Sequence, residues 1–105
     1  YVSEGWAYQF GVYDIQNLNN ITQLATISLN NMGYAHNAWL NDAGTHLITT
    51  EETIGKTIKV WNISDFNNIY MAGEYLGENE LAHNVHVKND LVYISHYSVG
   101  IKIIN

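Results

Sequence analysis

Along the chain, apolar residues alternate with polar ones over short runs, and each run stops at a cluster of Asn, Asp and Gly. The pattern is AHNAWLN over 35–41, THLITTEE over 45–52 and TIKVWNI over 57–63. A period of two in segments rich in Val, Ile, Thr, Tyr and Trp predicts strands, and nowhere does a helical period persist. Strands are expected near 1–4, 7–15, 21–28, 35–41, 45–52, 57–63, 69–76, 83–88, 91–97 and 100–105, with turns at NDAG, TIGK and SDFNN.

The pattern also repeats. VYDIQNLNNITQL (12–24) returns as VWNISDFNNIYMA (60–72), 48 positions on, and AHN at 35–37 returns as AHN at 82–84, 47 positions on. TIKVW (57–61) is matched by GIKII (100–104), and YVSEG (1–5) by YISHY (93–97). A unit of about 47 residues carrying four strands is the size of one propeller blade.

The fold class expected is therefore all-β, a β-propeller segment of about two and a half four-stranded blades. The units are a partial blade over 1–33, a full blade over 34–81 and a partial blade over 82–105. Propellers need about 4 to 8 blades, and each blade is covered on both faces by its neighbours. The chain is thus expected to be part of an incomplete ring, a fragment of a longer protein or a piece completed by other copies or chains.

Composition narrows the partners. Ten acidic residues stand against four lysines, Lys56, Lys59, Lys88 and Lys102, and there is no arginine, so nothing can neutralise a phosphate backbone. Nucleic acid and anionic membrane are excluded as partners. No apolar run reaches the roughly 18 residues of a membrane span, and without cysteine there is neither a disulfide nor a thiolate ligand.

The runs AHNAWLNDAGTHLITTEE, TIKVWNISDFNNIYMAGEYLG and AHNVHVKNDLVYISHYSVGIKIIN resemble the LVIVD-repeat propellers, in particular choice-of-anchor B family proteins. The likeness covers 34–105 closely and 1–33 loosely. It implies a secreted or cell-surface propeller, often bacterial, without implying a reaction. The chain departs from the family pattern in having no proline, since SDFNNIY stands where a Pro-containing turn is usual. Asn is expected to make the same turns.

Two sets of residues could carry chemistry. His36 and His83 occupy matching places in the repeat, and strict alternation puts His36 on the face of Ala38 and Leu40, and His83 on that of Val85 and Val87. They suit a structural hydrogen bond to a neighbouring turn. They also suit a metal, because aligning the strand ends places Glu4, Glu51 and His96 at one position of successive units, with Glu52 and Tyr97 next door. His36, His83, Glu51 and His96 are the candidate ligands, and Zn, Mn or Fe the candidate divalent ions, since all accept nitrogen and oxygen donors.

Other motifs are absent or plain. There is no G-x-S-x-G elbow, phosphate loop or H-E-x-x-H helix. Asp65, Glu74, Glu78 and Glu80 lack the spacing of a calcium loop and read as a solvated acidic turn. Trp39 and Trp61 read as packing residues, whereas Trp6 and Tyr8, near Gly5 and Gly11, offer a surface on which a sugar could stack. The sequence is read as a non-catalytic binding or scaffolding segment of a surface propeller whose rims meet a protein or glycan ligand. The rivals are a metal-binding protein or metal-dependent enzyme, and a carbohydrate-binding propeller.

Overall fold

The computed structural model describes residues 1–30, 33–76 and 81–105. Ten strands are found there: β1 (Val2–Ser3), β2 (Gln9–Asp14), β3 (Thr22–Ser28), β4 (Ala35–Leu40), β5 (His46–Glu51), β6 (Ile58–Asn62), β7 (Tyr70–Tyr75), β8 (Ala82–Lys88), β9 (Leu91–His96) and β10 (Gly100–Ile104). They form three antiparallel sheets ordered β1-β2-β3, β4-β5-β6-β7 and β10-β9-β8. The fold is all-β, no sheet closes on itself, and the arrangement fits part of a propeller. Among the described residues no helix is long and apolar enough to cross a membrane.

The middle sheet is covered on both faces, and β5 explains how. Its consecutive residues Leu47 and Ile48 point to opposite sides, so each enters a different core. Leu47 joins Phe10, Ile27, Leu29, Ala35 and Ile63 against the first sheet. Ile48 joins Ile58, Ala82, Val85, Val87 and Ile94 against the third. Burial of both faces makes β5 buried at every residue from Leu47 to Glu51, the signature of a strand inside a stack of sheets.

Repeated sequence becomes repeated structure at the turns. After β2, the Asp14 carboxylate accepts the Gln16 amide and the Asn17 side chain accepts the Asn19 amide. After β6, 48 residues on, Asn62 accepts from Ser64 and Asp65 from Asn67 in the same way. These are Asx turns, which do without proline because a short side chain stands in for a backbone carbonyl. The β8–β9 hairpin turns through Asn89 (φ 51°) and Asp90 (φ 61°), the two-residue form that suits the twist of its strands. Of the expected acidic turn, Glu78 and Glu80 lie outside the described residues, while Glu74 accepts a hydrogen bond from the Thr57 hydroxyl.

Side chains join the second and third sheets along the free edge of β8. The Asn37 side-chain oxygen accepts the Val85 amide at 2.9 Å, and the Thr50 hydroxyl donates to the His83 carbonyl at 2.7 Å. An edge that would present bare amides and carbonyls is satisfied by the neighbouring sheet. This fixes β8 beside β4 and sets the geometry of the site described next.

Candidate metal centre

Strand register gathers the starts of β4 and β8 and the ends of β5 and β9 at one end of the stack. Ala35 pairs with Glu51, and Ala82 pairs with His96. In both pairs the ladder then skips: Asn37 is opposite Thr50, and Asn84 is opposite Ser95, so His36 and His83 are the extra residues of two β-bulges. A bulge interrupts the alternation of side chains and re-aims the residue it carries. Strict alternation would place His36 with Ala38 and Leu40, which pack against the Phe10 cluster. Instead its ring lies 4.4 Å from that of His83.

The same end of the stack brings in Glu52, the residue after β5. His36 Nδ1 is 3.2 Å from Glu52 Oε2, and His83 Nδ1 is 3.1 Å from Glu52 Oε1. The Tyr97 hydroxyl, from the residue after β9, donates to Glu52 Oε1 and lies 2.9 Å from His83 Nδ1. Each repeat thus supplies one imidazole and one oxygen: His36 with Glu52, then His83 with Tyr97. Its side-chain partners among the described residues are two imidazoles and a phenol, which leaves the Glu52 carboxylate suited to a cation.

The cluster has the dimensions of a metal site. One ligand atom from each of His36, Glu52 and His83 lies within 4.8 Å of the others. Tetrahedral nitrogen and oxygen ligands about 2.0–2.2 Å from an ion stand about 3.4 Å apart. The two nitrogen–carboxylate separations are near that value already. The three side chains are partly exposed, Glu52 at 24%, His36 at 25% and His83 at 36%, so an ion can enter from solvent.

Two of the four residues singled out from sequence, His36 and His83, belong to this cluster, and two do not. Glu51 points to the other face of β5, is fully buried and is paired with Lys59 Nζ. Its second carboxylate oxygen lies against Gly33, where any β-carbon would collide with it. His96 is 7% exposed, and neither ring nitrogen has a hydrogen-bond partner among the described residues. Glu4, aligned with both, accepts hydrogen bonds from Tyr13 and Gln9, each at 2.6 Å. Those bonds hold its carboxyl below the ordinary carboxylate range, and the Tyr13 phenol is pushed above its ordinary value by donating to Glu4.

Glu52 and Tyr97 take the places sequence had assigned to Glu51 and His96. The signal that distinguishes them is parity along β5. Ile48, Thr50 and Glu52 share the face that meets the third sheet, where Thr50 bonds to His83, while Leu47 and Glu51 share the opposite one. Around the cluster lie further aromatic rings: Tyr34 stacks near His36 at 6.1 Å, and Trp6 meets Tyr34 edge-on at 4.8 Å. On a different part of β4 and β8, Trp39 packs on His86 at 4.3 Å. No protein-family model matches the chain, and no curated protein matches it either.

Proposed function

We propose that the chain is part of a β-propeller that binds a transition-metal ion at one rim, with His36, Glu52 and His83 as ligands. The observation that carries this reading is the convergence of the two bulged histidines, from different sheets, on the two oxygens of one carboxylate. Two imidazoles and a carboxylate suit zinc, manganese or iron. The role is one of binding, and the resemblance to surface propellers supports a secreted or cell-surface setting.

Titration calorimetry with zinc, paired with metal analysis of the natively isolated protein, tests the reading. Near-stoichiometric binding is expected, lost in a His36→Ala, His83→Ala double variant whose circular dichroism is unchanged. Absence of binding, or binding that the double variant retains, would overturn it. A second reading, carbohydrate stacking, is favoured by Trp6, which is 72% exposed beside Tyr34. Glycan-array binding that disappears in Trp6→Ala would support it.

A further inference from the structure

The metal reading names three ligands, and the geometry points to a fourth. Resting on that reading, we propose that Tyr97 completes the coordination sphere as a phenolate and that the site prefers a ferric or cupric ion to zinc. Its hydroxyl oxygen is 2.9 Å from His83 Nδ1 and in hydrogen-bond contact with Glu52 Oε1. It is therefore near ligand-to-ligand spacing from the His83 nitrogen and in direct contact with the carboxylate that joins both histidines. The repeat argues the same way, because Tyr97 occupies in its unit the place that Glu52 occupies in the preceding one. Where one unit brings a carboxylate oxygen to its histidine, the next brings a phenol oxygen to its own.

The donor set has chemical consequences. On binding, a metal–oxygen bond forms at Tyr97, the O–H bond breaks and the proton leaves to water; no electron moves. The site then carries two neutral imidazoles and two anionic oxygens. Phenolate is a hard, strongly donating anion, so it favours an ion of high charge density such as Fe(III), or Cu(II) at the top of the divalent affinity order. Four protein ligands also close the site, as in structural rather than catalytic centres. Tyr97 is 58% exposed, so its side chain can adjust to an incoming ion without disturbing the core.

Visible spectroscopy tests this directly, because phenolate bound to Fe(III) or Cu(II) gives a charge-transfer band that imidazole and carboxylate do not. The protein is titrated with ferric nitrilotriacetate and separately with cupric ion, and resonance Raman spectra are recorded within any band. A coloured complex with phenolate ring modes is expected. Tyr97→Phe should lose both, together with at least tenfold of ferric affinity, while zinc affinity changes less and circular dichroism is unchanged. Ferric and cupric complexes without a phenolate charge-transfer band or phenolate ring modes, in a protein that still binds zinc through His36, Glu52 and His83, would overturn the phenolate assignment and leave the three-ligand reading standing. A band that persists in Tyr97→Phe would assign the ligand to another tyrosine, such as Tyr34, and overturn it equally. Failure to bind any of the three ions would remove both.

Discussion

The imidazoles of His36 and His83 stand 4.4 Å apart, centroid to centroid, although they belong to different sheets and lie 47 residues apart in the chain. The Glu52 carboxylate, with one oxygen on each ring, holds them there.

Removing that carboxylate should therefore separate metal binding from stability. Glu52→Ala is expected to weaken zinc binding by more than the 10–100-fold typical of losing an outer-shell partner. Because the side chain is partly exposed, the same change should cost folding only about 1 kcal/mol. Calorimetric titration beside urea denaturation measures the two quantities, and a large loss of stability with unchanged affinity would reverse the assignment.

Glu51 should behave in the opposite way. Its carboxylate is fully buried and its charge partner Lys59 is 9% exposed at the side chain. Lys59→Met leaves that buried carboxylate uncompensated and should destabilise by about 3–5 kcal/mol, whereas a joint Lys59→Met, Glu51→Leu change should recover most of the loss. Metal affinity is expected to be unaffected in the double variant once folded. If Glu51→Gln instead abolished metal binding, the ligand set given by alignment alone would be restored.

The contrast between Glu51 and Glu52 marks how far the sequence could be read. Strands, turns and repeat were legible because they rest on local chemistry: period-two alternation, Asx turns at Asp14 and Asn62, and Asn-Asp in the β8–β9 hairpin. His36 and His83 were legible because AHN is repeated. Which carboxylate joins them was not, since that depends on which face of β5 meets the third sheet, a relation between residues more than 30 positions apart. The two bulges were hidden too. Their effect is to break the alternation from which side-chain direction is inferred, and His36 departs from the face of Ala38 for that reason.

The Glu4–Tyr13 pair makes acid sensitivity a property of the first sheet. The Glu4 carboxyl is lowered by hydrogen bonds from Tyr13 and Gln9, so the folded protein binds this proton less readily than the unfolded chain. Its contribution to stability is present above the ordinary carboxylate range and lost as pH falls through the lowered value. Tyr13 is raised, so its contribution is present below the ordinary phenol range and lost as pH rises through the raised value. The stability difference between the wild type and Glu4→Gln, followed by thermal melts across pH, should form a plateau at neutrality and shrink at both ends. A difference that grew on acidification would contradict the sign.

Asn37 links the fold to the site. Its side-chain oxygen accepts the amide of Val85, a residue 3% exposed on the free edge of β8. Asn37→Ala would leave that amide without an acceptor in a dry environment, at a cost of about 1–3 kcal/mol. Because the same bond holds β8 against β4, its loss should loosen the approach of His83 to His36 and lower metal affinity, although Asn37 touches neither ring nitrogen. Asn37→Asp keeps the acceptor and should retain most of both properties. Hydrogen exchange at the Val85 amide reads the bond itself: protection is expected to fall in Asn37→Ala and persist in Asn37→Asp. Faster exchange in Asn37→Ala with no change in zinc affinity would mean that the two histidines are placed by their bulges alone, independently of the joint between the sheets.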